Sequence, residues 1–266
     1  MERGYLFMLD VQSQQPKNRV RIDRVGISDF YIPVKIESNY KVLSTSARFS
    51  FSASLRKSER GTHMSRLILI LHEFQDLLFD YDTLIKISDE AKMRLKSTSS
   101  VLSLEFDYFV QKQSPVTKIN NIVNYKASMV IKNDHNVKVC LKIIVPITSV
   151  CPCSKEISDR GAHSQRGEVT IEADITNKKQ LWFTELIKAV ESAASTEIYS
   201  VLKRSDEKFV TEFAYQNALF VEDIVRTIDK KMMELAIKNY SITCKNYESI
   251  HNHNAFAQIK KGEICI

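Results

Sequence analysis

Phe49, Phe51, Ala53 and Leu55 alternate with Ser50, Ser52 and Ser54. Successive side chains of an extended chain point to opposite faces, so this run builds a strand with one apolar and one hydroxylated face. The same period of two recurs at 30–36, at 102–108 and at 169–175, where Thr170, Glu172 and Asp174 oppose the apolar row. Shorter strands are expected at 125–132, 138–147, 241–247 and 255–260. Between them, apolar residues recur every three or four positions, as helices require. Two such stretches are 64–74 and 84–95; a third is the stripe Ile187, Val190, Ala194, Ile198 and Val201. The fourth is Val221, Val225, Ile228, Met232 and Leu235, with Asn217 as a possible cap. The order is strand, strand, helix, helix, strand, strand, and then the same again from about Asn136. Such a unit sets two helices on one face of a four-stranded antiparallel sheet. The expected class is therefore α+β, with two tandem ββααββ units. An extension over 1–19 precedes a first unit at 20–135 and a second at 136–266, which carries most of the chemistry below.

Composition narrows the function. The 38 Lys and Arg exceed the 32 Asp and Glu by six, a weak pull toward anionic ligands. No dense basic block or interleaved aromatics accompanies it, so nucleic acid is not the expected partner. The six glycines, Gly4, Gly26, Gly61, Gly161, Gly167 and Gly262, fit neither G-x-G-x-x-G nor the Walker spacing. Any nucleotide must be held without a glycine loop. The apolar runs at 5–9 and 67–71 are too short to cross a bilayer, and no targeting segment is expected. The five cysteines are an odd number in a long chain, which points to reduced thiols in a cytoplasm.

Reactive side chains are densest just past the strand at 138–147, in Cys151-Pro-Cys153 followed by His163. Thiolate and imidazole are the donors that a Zn-type ion prefers, and the other cysteines stand too isolated to close a structural zinc site. An incompletely filled ion leaves a position for water, which is what hydrolysis needs. The plainer reading makes both cysteines small buried hydrophobes. A second cluster, Glu248-Ser-Ile-His251-Asn-His253, places two imidazoles on one side of an extended chain, suited to proton transfer or metal binding. The third stretch, 202–212 followed by Phe220-Val-Glu222-Asp223, is densely charged. Its simplest reading is a solvated linker between helices, with Glu222 and Asp223 complementing a helix N-terminus.

Together these stretches resemble the type IB GTP cyclohydrolase I family of tunnelling-fold enzymes. The resemblance rests on Thr148-Ser-Val-Cys-Pro-Cys-Ser-Lys-Glu-Ile-Ser to Gly-Ala-His163, Leu-Lys-Arg-Ser-Asp-Glu-Lys with Val-Thr-Glu, Phe-Val-Glu-Asp, and Glu-Ser-Ile-His-Asn-His-Asn. Gly61-Thr-His-Met-Ser-Arg66 extends it into the first half. Departures are Ser164, Ser205 and Ala218, where the family usually has Asn, Pro and Pro. The resemblance implies a divalent metal (Zn, Mn or Fe(II)) held by Cys151, His163 and Glu207, with Glu212 and Glu197 as rivals for the third ligand. It implies conversion of GTP and water to 7,8-dihydroneopterin triphosphate and formate, the first step toward tetrahydrofolate. His251 and His253 would move protons, with Glu248 a possible orienter. Glu222 would anchor the guanine N1–H and exocyclic amine, a pattern that adenine cannot match. Arg66, Lys155, Arg166 and Arg204 are candidate triphosphate cations, and a homotetramer with sites between subunits is implied. The alternatives are a nitrile reductase of the same fold and a non-catalytic metal- or nucleotide-binding protein. The reductase expects an Asp where Ser158 stands, seven residues past Cys151.

Overall fold

The computed structural model describes residues 11–265 apart from 13, 39–40 and 178–182. Eight strands form one antiparallel sheet in sequence order. They are β1 (Ile22–Ser38), β2 (Lys41–Leu55), β3 (Ser100–Gln113), β4 (Asn120–Asn133), β5 (Val137–Val150), β6 (Ser164–Asp174), β7 (Tyr240–Asn246) and β8 (Ala255–Lys261). Helices α1 (Met64–Phe74) and α2 (Tyr81–Arg94) lie between β2 and β3. The short α3 (Pro152–Ile157) follows β5, and α4 (Phe183–Glu191), α5 (Arg204–Gln216) and α6 (Val221–Glu234) lie between β6 and β7. The scarcity of Gly and Pro shows in connections such as Asp134–Asn136, three residues between β4 and β5.

The period-two rows make a sheet with two unlike faces. Phe49, Phe51, Leu102, Leu104, Ile143, Val145, Val169 and Ile171 are fully buried on one face. Against it lie Leu67, Ile70 and Leu71 of α1, Leu84 and Ile87 of α2, Phe183, Leu186 and Val190 of α4, and Ile224, Ile228 and Met232 of α6. Each such side chain removed from water stabilises the fold by about 1.5–3 kcal/mol before entropy is counted. The opposite face carries cross-strand ion pairs: Arg48 with Glu105, Lys126 with Asp107 at 2.8 Å and Lys142 with Glu172 at 3.1 Å. Sheet and core cross positions 134–136 without a break. Tyr108 of β3 and Tyr125 of β4 reach α4, where they meet Thr184 at 3.0 Å and Glu191 at 2.6 Å. Part of the expected extension 1–19 is described: Gln12 O and Gln14 O accept from the amides of Gly61 and Arg60.

Four expectations are corrected. The stripe 187–201 is helical only to Glu191. Beyond it, Ser192 Oγ donates to Lys188 O at 2.6 Å, Val150 N donates to Ser195 Oγ and Thr196 exchanges backbone bonds with Thr148. Serine and threonine thus offer the backbone other partners than the next helical turn. The charged stretch read as a solvated linker contains α5, whose N-terminus is secured by Asp206 accepting from Lys203 N at 3.0 Å. Asn217 caps the C-terminus of α5, donating to Phe213 O, while Phe220 stands at the N-cap of α6. Finally, Cys140 and Cys265 are disulfide-bonded, with Cα atoms 6.1 Å apart. The chain end after β8 returns across the sheet to β5, a proximity 125 residues apart in sequence that spacing cannot reveal. Among the described residues, no helix is long and apolar enough to cross a membrane.

Candidate active site

Cys151 follows β5 directly and is the N-cap of α3, with Pro152 in the first turn, where its missing N–H is no loss. Its carbonyl accepts from Lys155 N at 3.1 Å and Ser154 Oγ at 3.2 Å. Its amide donates to His163 O at 3.1 Å, extending the β5–β6 ladder one step beyond Val150 and Ser164. Ser154 Oγ also accepts from His163 N at 3.1 Å, which closes the intervening loop. The hairpin therefore sets thiol and imidazole at the same end of neighbouring strands. His163 Nδ1 lies 2.8 Å from Gln165 Oε1, 3.4 Å from Ser249 Oγ and 4.0 Å from the Glu248 carboxylate. An amide oxygen only accepts, so the Gln165 contact suits Nδ1 as the donor and leaves Nε2 as the nitrogen not engaged by it.

Facing this hairpin is the start of α6. Leu219 N donates to Val150 O at 3.2 Å, which ties the approach to α6 against the end of β5. Glu222 and Asp223 occupy the first turn, where a negative charge is favoured by the helix dipole. A cleft of about 170 Å³ lies between, lined by Cys151 and Gln165, by Leu219, Phe220 and Glu222, and by Asn246, Glu248 and Ala255. One step along β7, the Cys244 thiol is pushed up to about 12 by burial, with the Glu222 carboxylate adding to the effect. It is a neutral packing group.

The other expected residues are distributed unevenly. Lys155 is near, its Nζ 3.3 Å from Gln216 O and 4.7 Å from the Tyr215 ring. His251 and His253 stack at 5.0 Å, exposed on the β7–β8 loop whose flanking Glu248 and Ala255 line the cleft. Cys153 is exposed on α3. Arg66 borders a separate cavity of about 220 Å³ and donates to Arg94 O at 2.9 Å. Arg166 and Arg204 are exposed, on β6 and at the start of α5.

A sulfur and an imidazole nitrogen from adjacent strand ends are donors that suit a divalent ion. Among the described residues, no three His, Cys, Asp or Glu side chains converge closely enough to hold one. Glu207 is exposed on α5 and Glu212 is ion-paired with Lys208 at 3.8 Å. Glu197 is bound to Lys112 and to Tyr199 OH. Within one chain, then, Cys151 and His163 are brought together and the three carboxylates are not.

Sequence reasoning overlooked Gln165 and Asn246. Gln165 lies two residues past His163, on the same face of an extended chain. Asn246 ends the buried row Tyr240, Ile242 and Cys244 as its one polar member. Both signals were positional, with no reactive group to mark them.

A family model described as type I GTP cyclohydrolase folE2 matches residues 8–257. The GTP cyclohydrolase FolE2 of Syntrophobacter fumaroxidans is 41% identical over 260 residues, covering 96% of this chain and all of that protein. That of Caldicellulosiruptor bescii is 41% identical over 259 residues, covering 97% of this chain and 99% of its own. Among solved structures, the uricase of Arthrobacter globiformis superposes with a TM-score of 0.54 at 7% identity, covering 90% of this chain and 93% of that one. That likeness carries the fold alone, the tunnelling fold. Matched by its family model over almost its whole length, the chain belongs to the type I GTP cyclohydrolases of the folE2 kind.

Proposed function

We propose that this chain is a metal-dependent GTP cyclohydrolase I that converts GTP and water to 7,8-dihydroneopterin triphosphate and formate in the cytoplasm, opening tetrahydrofolate synthesis. The observation that carries the reading is the cleft shared by Cys151 and the Glu222 helix start, with His163 paired to Cys151 across the β5–β6 hairpin end. Glu222 accepts the guanine N1–H and one exocyclic N–H, which adenine cannot offer in that arrangement. Cys151 and His163 would hold the ion, and Glu207, which the fold of one chain does not bring to them, is our proposed third ligand. When bound, such an ion would supply Lewis acidity to a water directed at C8 of the purine. His251 and His253, on the loop beside the cleft, deliver and remove protons as the imidazole ring opens and the pterin ring closes.

Two features support an oligomer with shared sites, which we take to be a tetramer. The cleft is small beside the 300–1,000 Å³ of complete ligand sites. Phe220, Tyr247, Ile250 and Phe256 are also large apolar residues left exposed on the elements around it. We also take 20–135 and 136–266 as two copies of one unit, because α2 and α6 end alike, with Lys96 and Ala236 at φ 51° and 54°.

The test is incubation of purified protein with GTP and Mn(II) or Zn(II), followed by oxidation and pterin fluorescence. Wild type yields the pterin and Cys151→Ala yields none above about one part in a thousand. Full activity in Cys151→Ala would defeat the mechanism.

A further inference from the structure

The approach to α6 is bracketed to β5 through both backbone groups of Leu219. Its amide donates to Val150 O at 3.2 Å, and its carbonyl accepts from Ser149 Oγ at 3.4 Å. Cys151 is the residue after Val150, and Glu222 lies three residues past Leu219, in the first turn of α6. The bracket therefore sets the Glu222 carboxylate relative to the thiol. The hydroxyl bond depends on where one rotatable proton points, and Asn246 settles that. Its Nδ2 donates to Ser149 Oγ at 3.0 Å, which leaves the hydroxyl proton for Leu219 O. This donor comes from β7, across β6. It can reach because the intervening strand carries Gly167, paired with Ile147 on one side and Asn246 on the other; a Cβ there would come within 2.6 Å of the amide oxygen. Ser149 is fully buried and Asn246 is 3% exposed, so water competes for neither. Asn246 Oδ1 has no hydrogen-bond partner among the described residues. An orphaned buried acceptor is destabilising, so the amide is a poor device for stability, and its value lies in what its nitrogen holds.

We infer that Ser149 and Asn246 are positioning residues that together hold the start of α6 and so fix Glu222 against the guanine edge. The inference rests on the reading that Glu222 anchors guanine in this cleft. A carboxylate held in place takes N1–H and one 2-amino N–H side by side. One that can drift keeps a single contact and no longer separates guanine from hypoxanthine, which lacks the amino group.

The experiment measures formate release from GTP and from inosine triphosphate by wild type, Ser149→Ala, Asn246→Leu and the double variant. The ratio of the two kcat/KM values is read, because it does not depend on how much of the protein is folded. Wild type is expected to favour GTP by about 10- to 100-fold. Each single variant should lower that ratio by about fivefold or more, and the double variant should lower it no further, as for two members of one device. Zn(II) affinity should stay within about twofold of wild type, since the Cys151–His163 backbone bond and the Ser154 bridge are untouched. Asn246→Leu should melt within about 2 °C of wild type, because losing one bond is offset by losing the orphaned oxygen. A merely structural role gives the reverse: a lower melting temperature, weaker Zn(II) binding and an unchanged ratio. An unchanged ratio in a folded single variant, or losses that multiply in the double variant, overturns the inference. Ser149→Ala removes one oxygen only and decides alone should Asn246→Leu not fold. Glu222→Gln separates the two readings. If wild type shows no preference for GTP, or Glu222→Gln keeps it, the guanine anchor itself is wrong. If Glu222→Gln loses the preference while Ser149→Ala keeps it, only the positioning role falls.

Discussion

Gln165 illustrates how a residue without reactive chemistry can govern one that has it. With its oxygen 2.8 Å from His163 Nδ1, the amide holds the ring's orientation through Nδ1 and leaves Nε2 to other partners. Gln165→Leu is expected to weaken Zn(II) binding by about 10- to 100-fold, read by competition with a chromogenic chelator, while the melting temperature changes little. Gln165→Glu, which keeps an oxygen at that place, should restore most of the affinity. Undiminished Zn(II) binding by Gln165→Leu would detach the residue from the site. Cys151 and His163 were legible in the sequence because their types are rare and reactive and they flank one short connection. Glu222 became legible only through the family resemblance, since acidic residues begin many helices for the dipole alone. Gln165 and Asn246 were not, because an amide acquires meaning only from what stands opposite it.

Among the elements, strands were read well and helix limits less well, for a physical reason. Strand alternation is dictated by burial of one sheet face, and that burial is nearly complete here. Helix α5 buries only Asp206 and Ala214, so no apolar stripe announced it. What holds its start is Asp206, whose carboxylate accepts from the amides of Val116 and Thr117 at 2.8 and 2.9 Å and from the Thr117 hydroxyl at 2.6 Å. Burial disfavours the charge, but the Thr117 hydroxyl and the amides of Thr117, Lys203 and Val116 outweigh it and hold the carboxyl well below the usual range. A carboxyl with a folded pKa below its unfolded one adds stability that is complete above the unfolded value, near 4, and lost as pH falls through the folded value. Asp206→Asn should therefore lower the melting temperature at pH 7 by about 3–10 °C, with the gap from wild type narrowing in acid. A gap independent of pH would contradict this account. The ends of α2 and α6 offer the opposite sign. Lys96 and Ala236 occupy left-handed positions where Ser97 N bonds Lys92 O and Ile237 N bonds Met232 O, both at 3.0 Å. Glycine is at ease there and alanine is not. Ala236→Gly should stabilise the protein by about 1 kcal/mol, seen as a rise of about 2–4 °C in a thermal melt.

Over the whole molecule, long-range closure is what no local pattern could reveal. The Cys140–Cys265 bond joins positions 125 apart in sequence, closing a loop that stabilises by at most about 5 kcal/mol in the chain-entropy picture. Reduction with dithiothreitol should lower the melting temperature by up to about 10 °C, and Cys140→Ser should abolish that response. Assembly is the larger closure. Among the described residues, Glu222 and Glu248 are the only charged ones lining the cleft, and neither can neutralise a triphosphate. Arg66 borders a different cavity together with His63 and Lys96. If Arg66 meets the triphosphate, it must do so in another copy of the chain. Arg66→Ala and Cys151→Ala should each be nearly inactive alone, yet co-expressed in equal amounts they should form some sites with both native residues. A site needing one such residue from each of two chains receives both about one time in four, so activity should recover to about a quarter of wild type. No recovery in mixed oligomers verified by mass would mean that Arg66 and Cys151 do not complete a site between chains, and the triphosphate would have to be met by other cations.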